Sequence, residues 1–216
     1  MTNHLPGEVF FIRIRIKKFM KEVFNRDSDK ILDVGCGNKP FYKGIIKGKV
    51  FGFDIYPSNF THFVGSVDNL PFKPKSFDKV LLANSLYYFS NPFKVINDIH
   101  SILKDNGTLF ISVPFFYPIH DVPDDKFRFT EFGLRDMLKN KFNIRKIEAI
   151  GGFFTIPSVI IHSLLKGIPL IFPKSFKTTA KVVVFFLLYL PYLLSQIKTL
   201  VNMEGILPSH KIIVKL

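Results

Sequence analysis

The sequence has one cysteine, few acidic residues and no apolar run as long as a membrane span. The lone Cys36 excludes an intramolecular disulfide and a cysteine-based zinc site, and it favours a reducing, cytoplasmic location. The 216 residues carry 30 Lys and Arg against 17 Asp and Glu, which gives a net charge of +13. This charge favours an anionic partner, such as nucleic acid, a phosphorylated substrate or the acidic face of a membrane.

The N-terminal segment, residues 1–29, does not resemble an export signal, because basic residues interrupt its apolar stretch. These residues are Arg13, Arg15, Lys17 and Lys18. The spacing of apolar residues predicts a basic amphipathic helix over Phe10–Phe24 that leads into the first strand. An ordinary packing helix with a solvated basic face is favoured over a dedicated membrane anchor.

Apolar strands alternate with helix-length segments through residues 30–150, the predicted core domain. This order predicts an α/β fold with a mostly parallel sheet and helices on both faces. The predicted strands are Lys30–Val34, Val50–Asp54, Phe77–Leu82, Thr108–Pro114, Phe142–Ile150 and His210–Leu216, and the clearest helix is Pro92–Leu103, which ends at a Lys104–Gly107 turn. Ligands of such sheets bind at the carboxyl ends of strands, where Asp33, Asp54 and Asn84 fall.

A glycine turn follows the first strand, in the sequence Asp33-Val-Gly35-Cys-Gly37. Glycine at these positions allows a sharp turn and a close approach of the backbone to a ligand. Asp54, at the end of the second strand, is suited to accept hydrogen bonds from a ribose diol. Together these parts indicate a cofactor that contains adenosine.

Five short motifs follow one another along the chain: Asp33–Gly37, Asp54, Val67–Phe72, Ser76–Asp78 and Leu103–Leu109. In this order they resemble class I S-adenosylmethionine-dependent methyltransferases, most closely the type 11 methyltransferase domain group. The resemblance covers about residues 30–114, and more loosely the rest of the chain. It implies a Rossmann-like sheet of seven strands, and S-adenosylmethionine as the cofactor.

The resemblance also implies roles for individual residues. Asp33, Gly35 and Gly37 would line the methionine and ribose end of the cofactor, and Asp54 would bind the ribose hydroxyls. Asp68 would accept from the adenine amine beside Val67, while Asn84 would face the methyl-transfer region. Asp33, Asp68 and Asn84 could instead be ordinary turn residues.

A nicotinamide or flavin site is the main competing interpretation of the glycine turn. Its G-x-G-x-x-G fingerprint needs a third glycine for helix packing. Here Gly37 is followed by Asn38, Lys39 and Pro40, so the third glycine is absent and the dehydrogenase interpretation is disfavoured.

A loop rich in His, Asp, Arg and aromatic residues follows the predicted strand Thr108–Pro114 and runs to Thr130, the predicted N-cap of the next helix. His120 is the candidate base for a hydroxyl acceptor, because histidine titrates near neutrality, and Asp121 or Asp124 could orient it. Tyr117 and Arg128 could contact substrate hydroxyls or a phosphate.

The same loop has a structural interpretation that the sequence leaves equally open. In it Asp124, Asp125 and Arg128 form an ion-pair and capping cluster, and His120 packs against Tyr117. The loop holds no second histidine at ligand spacing, so a metal site is disfavoured.

Residues 151–209 form a long apolar insertion before the final strand, residues 210–216. Its longest run, Val182–Leu194, contains Pro191 and is shorter than the roughly 20 residues of a spanning helix. Helices in the membrane interface are therefore favoured over crossings, and a lid or dimer interface is the structural alternative.

The sequence thus predicts an S-adenosylmethionine-dependent methyltransferase, acting at oxygen on a glycan or lipid-linked acceptor at the cytoplasmic face of a membrane. A nucleic-acid acceptor is disfavoured, because the aromatic residues do not alternate with Lys and Arg along an exposed strand. A binding protein that keeps the fold without catalysis is the third possibility.

Overall fold

The structure of the protein is a computed structural model. It describes residues 8–40, 42–115, 117, 119, 121–150 and 209–215. For residues 8–13, 149 and 209–215 the description covers the backbone alone. The predicted base His120 and the predicted insertion, apart from Ser209, therefore lie outside the described residues.

The described residues form one sheet of seven strands in the order β3-β2-β1-β4-β5-β7-β6. The strands β1 to β5 are mutually parallel, whereas β7 runs antiparallel to both of its neighbours. Their bounds are β1 Lys30–Val34, β2 Lys49–Asp54, β3 Phe63–Val64, β4 Phe77–Ala83, β5 Leu103–Pro114, β6 Asn143–Ala149 and β7 Ser209–Lys215. The prediction of a mostly parallel α/β sheet is confirmed.

One face of the sheet is covered by two helices, α2 (Pro92–Ile102) and α3 (Glu131–Leu138). Successive strand residues point to opposite faces, and on this face the strands contribute one large apolar cluster. Its members include Leu32, Val34, Val80, Leu82, Leu109, Ile111, Ile96, Ile99, Leu134 and Leu138. Each helix begins at a side-chain cap: Asn91 accepts from the Lys94 amide, and Thr130, the predicted cap, accepts from the Gly133 amide.

The opposite face is covered by helix α1 (Glu8–Val23), which confirms the predicted N-terminal helix. The buried residues Phe19 and Phe24 flank the ring of Phe110 on β5, with centroids 6.2 and 5.9 Å apart. The end of this helix is anchored by Lys79 of β4, whose ammonium lies 2.6 Å from an Asp29 carboxylate oxygen and also donates to the Val23 carbonyl. Helices therefore lie on both faces.

The structure adds three details to the predicted elements. The short strand β3 lies at the sheet edge, where the sequence pattern had located no strand. Helix α2 ends one residue before the predicted Leu103. Strand β5 begins at Leu103 rather than Thr108, and Lys104–Gly107 bulge out between the pairs Phe77–Leu103 and Lys79–Thr108. Asn106, with φ of +62°, makes the sharp turn of this bulge.

The strand order reverses direction at β1 and β4, which places a crevice outside their carboxyl ends. Pairing of Ser209 with Pro114, and of His210 with Ala149, puts the end of β6 and the start of β7 at this same edge. Ile150 and Ser209 therefore both lie on the side of the crevice. None of the described helices is long and apolar enough to cross a bilayer.

Candidate active site

The glycine turn after β1 forms one wall of the crevice. Gly35 and Gly37 have φ of +76° and +63°, a backbone region that side chains with a Cβ rarely adopt. The Gly35 amide donates to the Phe53 carbonyl of β2 at 2.8 Å. A Cβ on Gly35 would lie 2.5 Å from that of Ser85, whereas one on Gly37 would meet nothing within 4 Å. The turn is therefore closely packed at Gly35 and open at Gly37.

Asp54, at the end of β2, joins this turn to the next loop. Its carboxylate accepts from the Gly37 amide at 2.8 Å and from the Tyr56 amide at 3.0 Å. The Ser58 hydroxyl donates to the Gly37 carbonyl at 3.0 Å and strengthens the same link. The predicted ribose-binding carboxylate is thus held in a fixed position beside the glycine turn.

Asp33 is the most unusual polar residue of the crevice. Its side chain is fully buried within β1, and neither carboxylate oxygen has a hydrogen-bond partner in the part of the chain that the structure describes. Burial, followed by the negative charge of Asp54, holds the pKa of Asp33 well above its ordinary value. A cationic group in the crevice would relieve this cost of desolvation.

Asp68 and Val67 lie in the loop that follows β3. The Asp68 carboxylate accepts from the Ser66 hydroxyl at 3.1 Å, and its carbonyl accepts from the Lys94 ammonium at 2.6 Å. Asp68 remains exposed, while Val67 is half-buried and packs against the apolar cluster with Leu70. The loop therefore places an exposed carboxylate beside apolar side chains.

The turn after β4 forms the opposite wall of the crevice. Asn84 has φ of +57°, and its amide donates to the carbonyl of Ser112 on β5 at 2.9 Å. Next to it the buried Ser85 hydroxyl donates to the Val34 carbonyl at 2.6 Å, directly before the glycine turn. A short 3₁₀ turn, Leu86–Tyr88, then carries the chain outwards. Asn84 therefore lies across the crevice from the glycine turn.

Tyr87 and Tyr88 join this turn to the predicted acceptor loop, Pro114–Thr130. The Tyr87 hydroxyl donates to that of Tyr88 at 3.2 Å, and the Tyr88 hydroxyl donates to an Asp121 carboxylate oxygen at 2.7 Å. The amides of Lys126 and Phe127 both donate to the Tyr87 carbonyl. Neither tyrosine was predicted as a site residue, although both lie just after Asn84 at the end of a strand, where ligands of such sheets bind.

Arg128 is bound within its own loop. Its guanidinium makes a bidentate ion pair with the buried Asp125, including an Nη2 to Oδ2 contact of 2.7 Å, and its Nε and Nη2 donate to the Tyr117 carbonyl. Asp125 raises the pKa of Arg128. These contacts are those of the structural interpretation, whereas Asp124 keeps an exposed side chain. No group of three or more His, Cys, Asp and Glu residues suited to a metal ion occurs among the described residues.

Comparison with known proteins identifies this arrangement. A Rossmann-like sheet whose first strand carries an aspartate and ends in a glycine turn is typical of an α/β cofactor-binding enzyme domain. A model of the methyltransferase-domain family matches residues 11–143, more than half of the chain. The chain therefore belongs to this family, and its cofactor is S-adenosylmethionine.

The relatives show how far this similarity extends. An uncharacterised protein of Methanocaldococcus jannaschii is 31% identical over 52% of this chain and 52% of its own length. A tRNA U34 carboxymethyltransferase of Campylobacter fetus is 26% identical over 61% of the chain and 51% of its own length. The chain thus spans about half the length of these curated relatives.

Among solved structures, a SAM-dependent methyltransferase of Archaeoglobus fulgidus superposes with a TM-score of 0.60 at 16% identity. This similarity covers 98% of the chain and 96% of that structure. It extends the shared fold beyond the residues that the family model matches.

We predict that Gly35→Ala is more destabilising than Gly37→Ala. Both variants introduce a Cβ at positive φ, at a cost of roughly 1 kcal/mol, but only at Gly35 does it also collide with Ser85. In urea unfolding, the free energy of unfolding should fall further for Gly35→Ala than for Gly37→Ala. The difference should be about 1 kcal/mol or more, as is typical of overpacking a core site. Equal losses would contradict the close packing described for this turn.

We predict that Asp33 makes the free protein less stable as the pH rises. Because the folded pKa of Asp33 lies above its ordinary value of 3.8, its contribution is most favourable below that pH and is lost as the pH rises through the folded pKa. Asp33→Asn should remove this dependence, so its stability relative to the wild type should rise between pH 4 and neutrality. Urea unfolding at several pH values measures the slope, and parallel curves for both proteins would contradict the prediction.

Proposed function

We propose that this domain transfers the methyl group of S-adenosylmethionine to a hydroxyl oxygen of a glycan or lipid-linked glycan acceptor at a membrane surface. The observation that carries the cofactor assignment is the buried Asp33 carboxylate, whose oxygens have no hydrogen-bond partner among the described residues. The bound cofactor would carry cationic groups at its methionine end, and these match a buried carboxylate that the described residues leave uncompensated.

The other proposed contacts with the cofactor come from residues along the same crevice. Asp54 would bind the ribose hydroxyls, and the main chain at Gly35 and Gly37 would lie along the methionine end. Asp68 would accept from the adenine amine, with Val67 as an apolar neighbour of the ring. When bound, S-adenosylmethionine supplies a methyl group on a sulfonium, so the acceptor needs little activation beyond alignment and loss of a proton.

The acceptor side of the proposal rests on the loop between Pro114 and Thr130. His120 remains the proposed base, Asp121 would orient it, and Asn84 would face the transferred methyl group. Tyr117 and Asp124 would contact acceptor hydroxyls. Arg128 would contribute by holding the Tyr117 main chain, because its guanidinium is already paired with Asp125.

The membrane part of the proposal concerns residues 151–209. Their apolar and basic composition favours contact with a lipid surface. Because β6 ends and β7 begins at the crevice edge, this segment would bring such a surface next to the acceptor loop. Salt-sensitive binding of the full chain to anionic vesicles is the expected behaviour.

A nucleic-acid acceptor is a second candidate function. It is favoured by the tRNA U34 carboxymethyltransferase among the relatives and by the net charge of +13. Such an acceptor would use the basic surface for phosphate contacts and would bind with a strong dependence on salt.

We predict that Asp54→Ala weakens binding of S-adenosylhomocysteine roughly 10- to 100-fold, because hydrogen bonds to a charged group are removed. Isothermal titration calorimetry measures this loss. Asp136→Ala is the matched control, since this carboxylate lies exposed on α3 and pairs only with Lys139 among the ion pairs described. Unchanged affinity of Asp54→Ala would remove the ribose assignment, and no binding by the wild type would favour a scaffold protein.

Transfer of a tritiated methyl group from S-adenosylmethionine distinguishes a glycan acceptor from a nucleic-acid acceptor. The full chain is incubated in parallel with bulk tRNA and with a lipid-linked glycan fraction presented on anionic vesicles. Label in the glycan fraction that is resistant to ribonuclease is the expected result. Label confined to tRNA would replace the proposed acceptor with the second candidate.

A further inference from the structure

We propose that Ser112 is a positioning residue through which the site selects an oxygen acceptor over a nitrogen acceptor. Its hydroxyl holds the side-chain oxygen of Asn84, so that the side-chain nitrogen of Asn84 is left to donate to the atom that receives the methyl group. This inference rests on the proposed methyl transfer and deepens it, since it supplies a physical reason for an oxygen acceptor. It also gives a role to a buried serine that was not predicted as a site residue.

Asn84 is held at the rim of the crevice by main-chain contacts with β5. It is the first residue after β4, and its φ of +57° is a left-handed conformation that asparagine adopts more readily than most residues. Its main-chain amide donates to the Ser112 carbonyl at 2.9 Å and to the Ser112 hydroxyl at 3.2 Å. The next residue, Ser85, packs against Gly35 on the opposite wall. The position of Asn84 is therefore fixed from both sides.

The Ser112 hydroxyl has Asn84 as its only hydrogen-bond partner in the part of the chain that the structure describes. It accepts from the main-chain amide of Asn84, and it donates to the Asn84 Oδ1 at 3.3 Å. Ser112 is only 1% exposed, so water does not compete for this hydroxyl. Within the described residues, Oδ1 of Asn84 is therefore the one atom to which Ser112 donates.

This contact determines which way the side-chain amide of Asn84 faces. If the amide were turned over, its nitrogen would donate to Ser112, and the Ser112 hydrogen would be buried without an acceptor among the described residues. A buried donor without a partner is costly, whereas the orientation with Oδ1 towards Ser112 satisfies both groups. The side-chain oxygen of Asn84 therefore faces β5, and its nitrogen is directed elsewhere.

The side-chain nitrogen of Asn84 is open to the crevice. It has no hydrogen-bond partner among the described residues, and it is not one of the buried polar atoms that lack a partner. Because Asn84 is only half-buried at the carboxyl end of β4, solvent in the crevice reaches this nitrogen. The side chain thus presents N–H donors where the proposed acceptor would bind, while its oxygen is already occupied.

A donor at this position distinguishes acceptor atoms by their lone pairs. A hydroxyl oxygen has two lone pairs, so one can attack the methyl carbon while the other accepts from Asn84. A neutral amine has a single lone pair, which the attack itself uses, and its N–H groups would face another donor. A site built to form one hydrogen bond discriminates against a group that cannot form it. The geometry therefore favours transfer to oxygen.

The proposed step is balanced in atoms and charge. The acceptor oxygen forms a bond to the methyl carbon as the bond from sulfur to that carbon breaks, and the sulfur keeps the electron pair as a neutral thioether. The proton of the acceptor hydroxyl passes to the proposed base, His120. Asn84 and Ser112 keep all of their hydrogens, because they only orient the acceptor.

The first test measures the orientation of the Asn84 amide in the full chain, without cofactor or acceptor. Heteronuclear NMR of the wild type follows the side-chain N–H signals of Asn84, which Asn84→Asp identifies by their loss. We expect these signals to exchange with water and to show no strong nuclear Overhauser contact with the Ser112 Hβ protons. Signals that are protected from exchange and contact Ser112 would show the reverse orientation and overturn the inference.

The second test measures the initial rate of tritiated methyl transfer at saturating S-adenosylmethionine, with the fraction that becomes labelled in the acceptor experiment. Ser112→Ala should lose about tenfold in kcat, because the Asn84 amide is no longer held. Ser112→Thr keeps the hydroxyl and should recover most of this loss. Calorimetry with S-adenosylhomocysteine should show unchanged cofactor affinity in both variants. A wild-type rate in Ser112→Ala would overturn the inference.

The chemical nature of the product separates this inference from the proposed function. Mass spectrometry of the isolated product locates the transferred methyl group. An O-methyl product agrees with the inference even if the label is in tRNA, which would replace only the proposed acceptor class. A product methylated on nitrogen or carbon would overturn the inference while methyl transfer stands. The product analysis and the NMR measurement use the wild-type protein, so they decide the question even if the Ser112 variants do not fold.

Discussion

The close contact between Gly35 and Ser85 is the constraint on which the crevice depends. Position 35 has no space for a side chain, because the Ser85 Cβ occupies it and the Ser85 hydroxyl closes on the Val34 carbonyl at 2.6 Å. The ends of β1 and β4 are thereby held at one separation. This contact therefore fixes the position of the glycine turn on one side of the crevice and of the Asn84 turn on the other.

The buried Asp33 carboxylate shows the energetic cost of this crevice to the free protein. A buried carboxylate with no hydrogen-bond partner among the described residues opposes folding when it is ionised. The surrounding apolar clusters on both faces of the sheet offset that cost. Such a local conflict between stability and chemistry is typical of a functional site.

Much of the fold could be predicted because its signals are local. Strand β1 has the predicted bounds, since an apolar run ends there in a glycine turn, and Thr130 caps α3 because threonine satisfies an exposed helix amide. Strand β3 could not be located, because two exposed residues, Phe63 and Val64, carry no periodicity.

The site was only partly predictable for a related reason. Asp54 and Asn84 could be selected because each polar residue interrupts an apolar run at a strand end. Tyr88 could not, since an aromatic pair after a strand also suits an ordinary core, and its contact with Asp121 joins residues 33 positions apart. The pairing of Arg128 with Asp125 likewise depended on side-chain geometry, and the sequence left two interpretations of it open.

The position of β7 between β5 and β6 has a consequence for synthesis on the ribosome. Within the described sheet β6 pairs with β7 alone, so after residues 143–149 emerge they have no neighbouring strand until residues 209–215 follow. During that interval β5 presents an open edge on the same side. A nascent chain of this protein therefore exposes two unpaired strands while about a quarter of its length is being made, and these are the surfaces that a chaperone would have reason to cover.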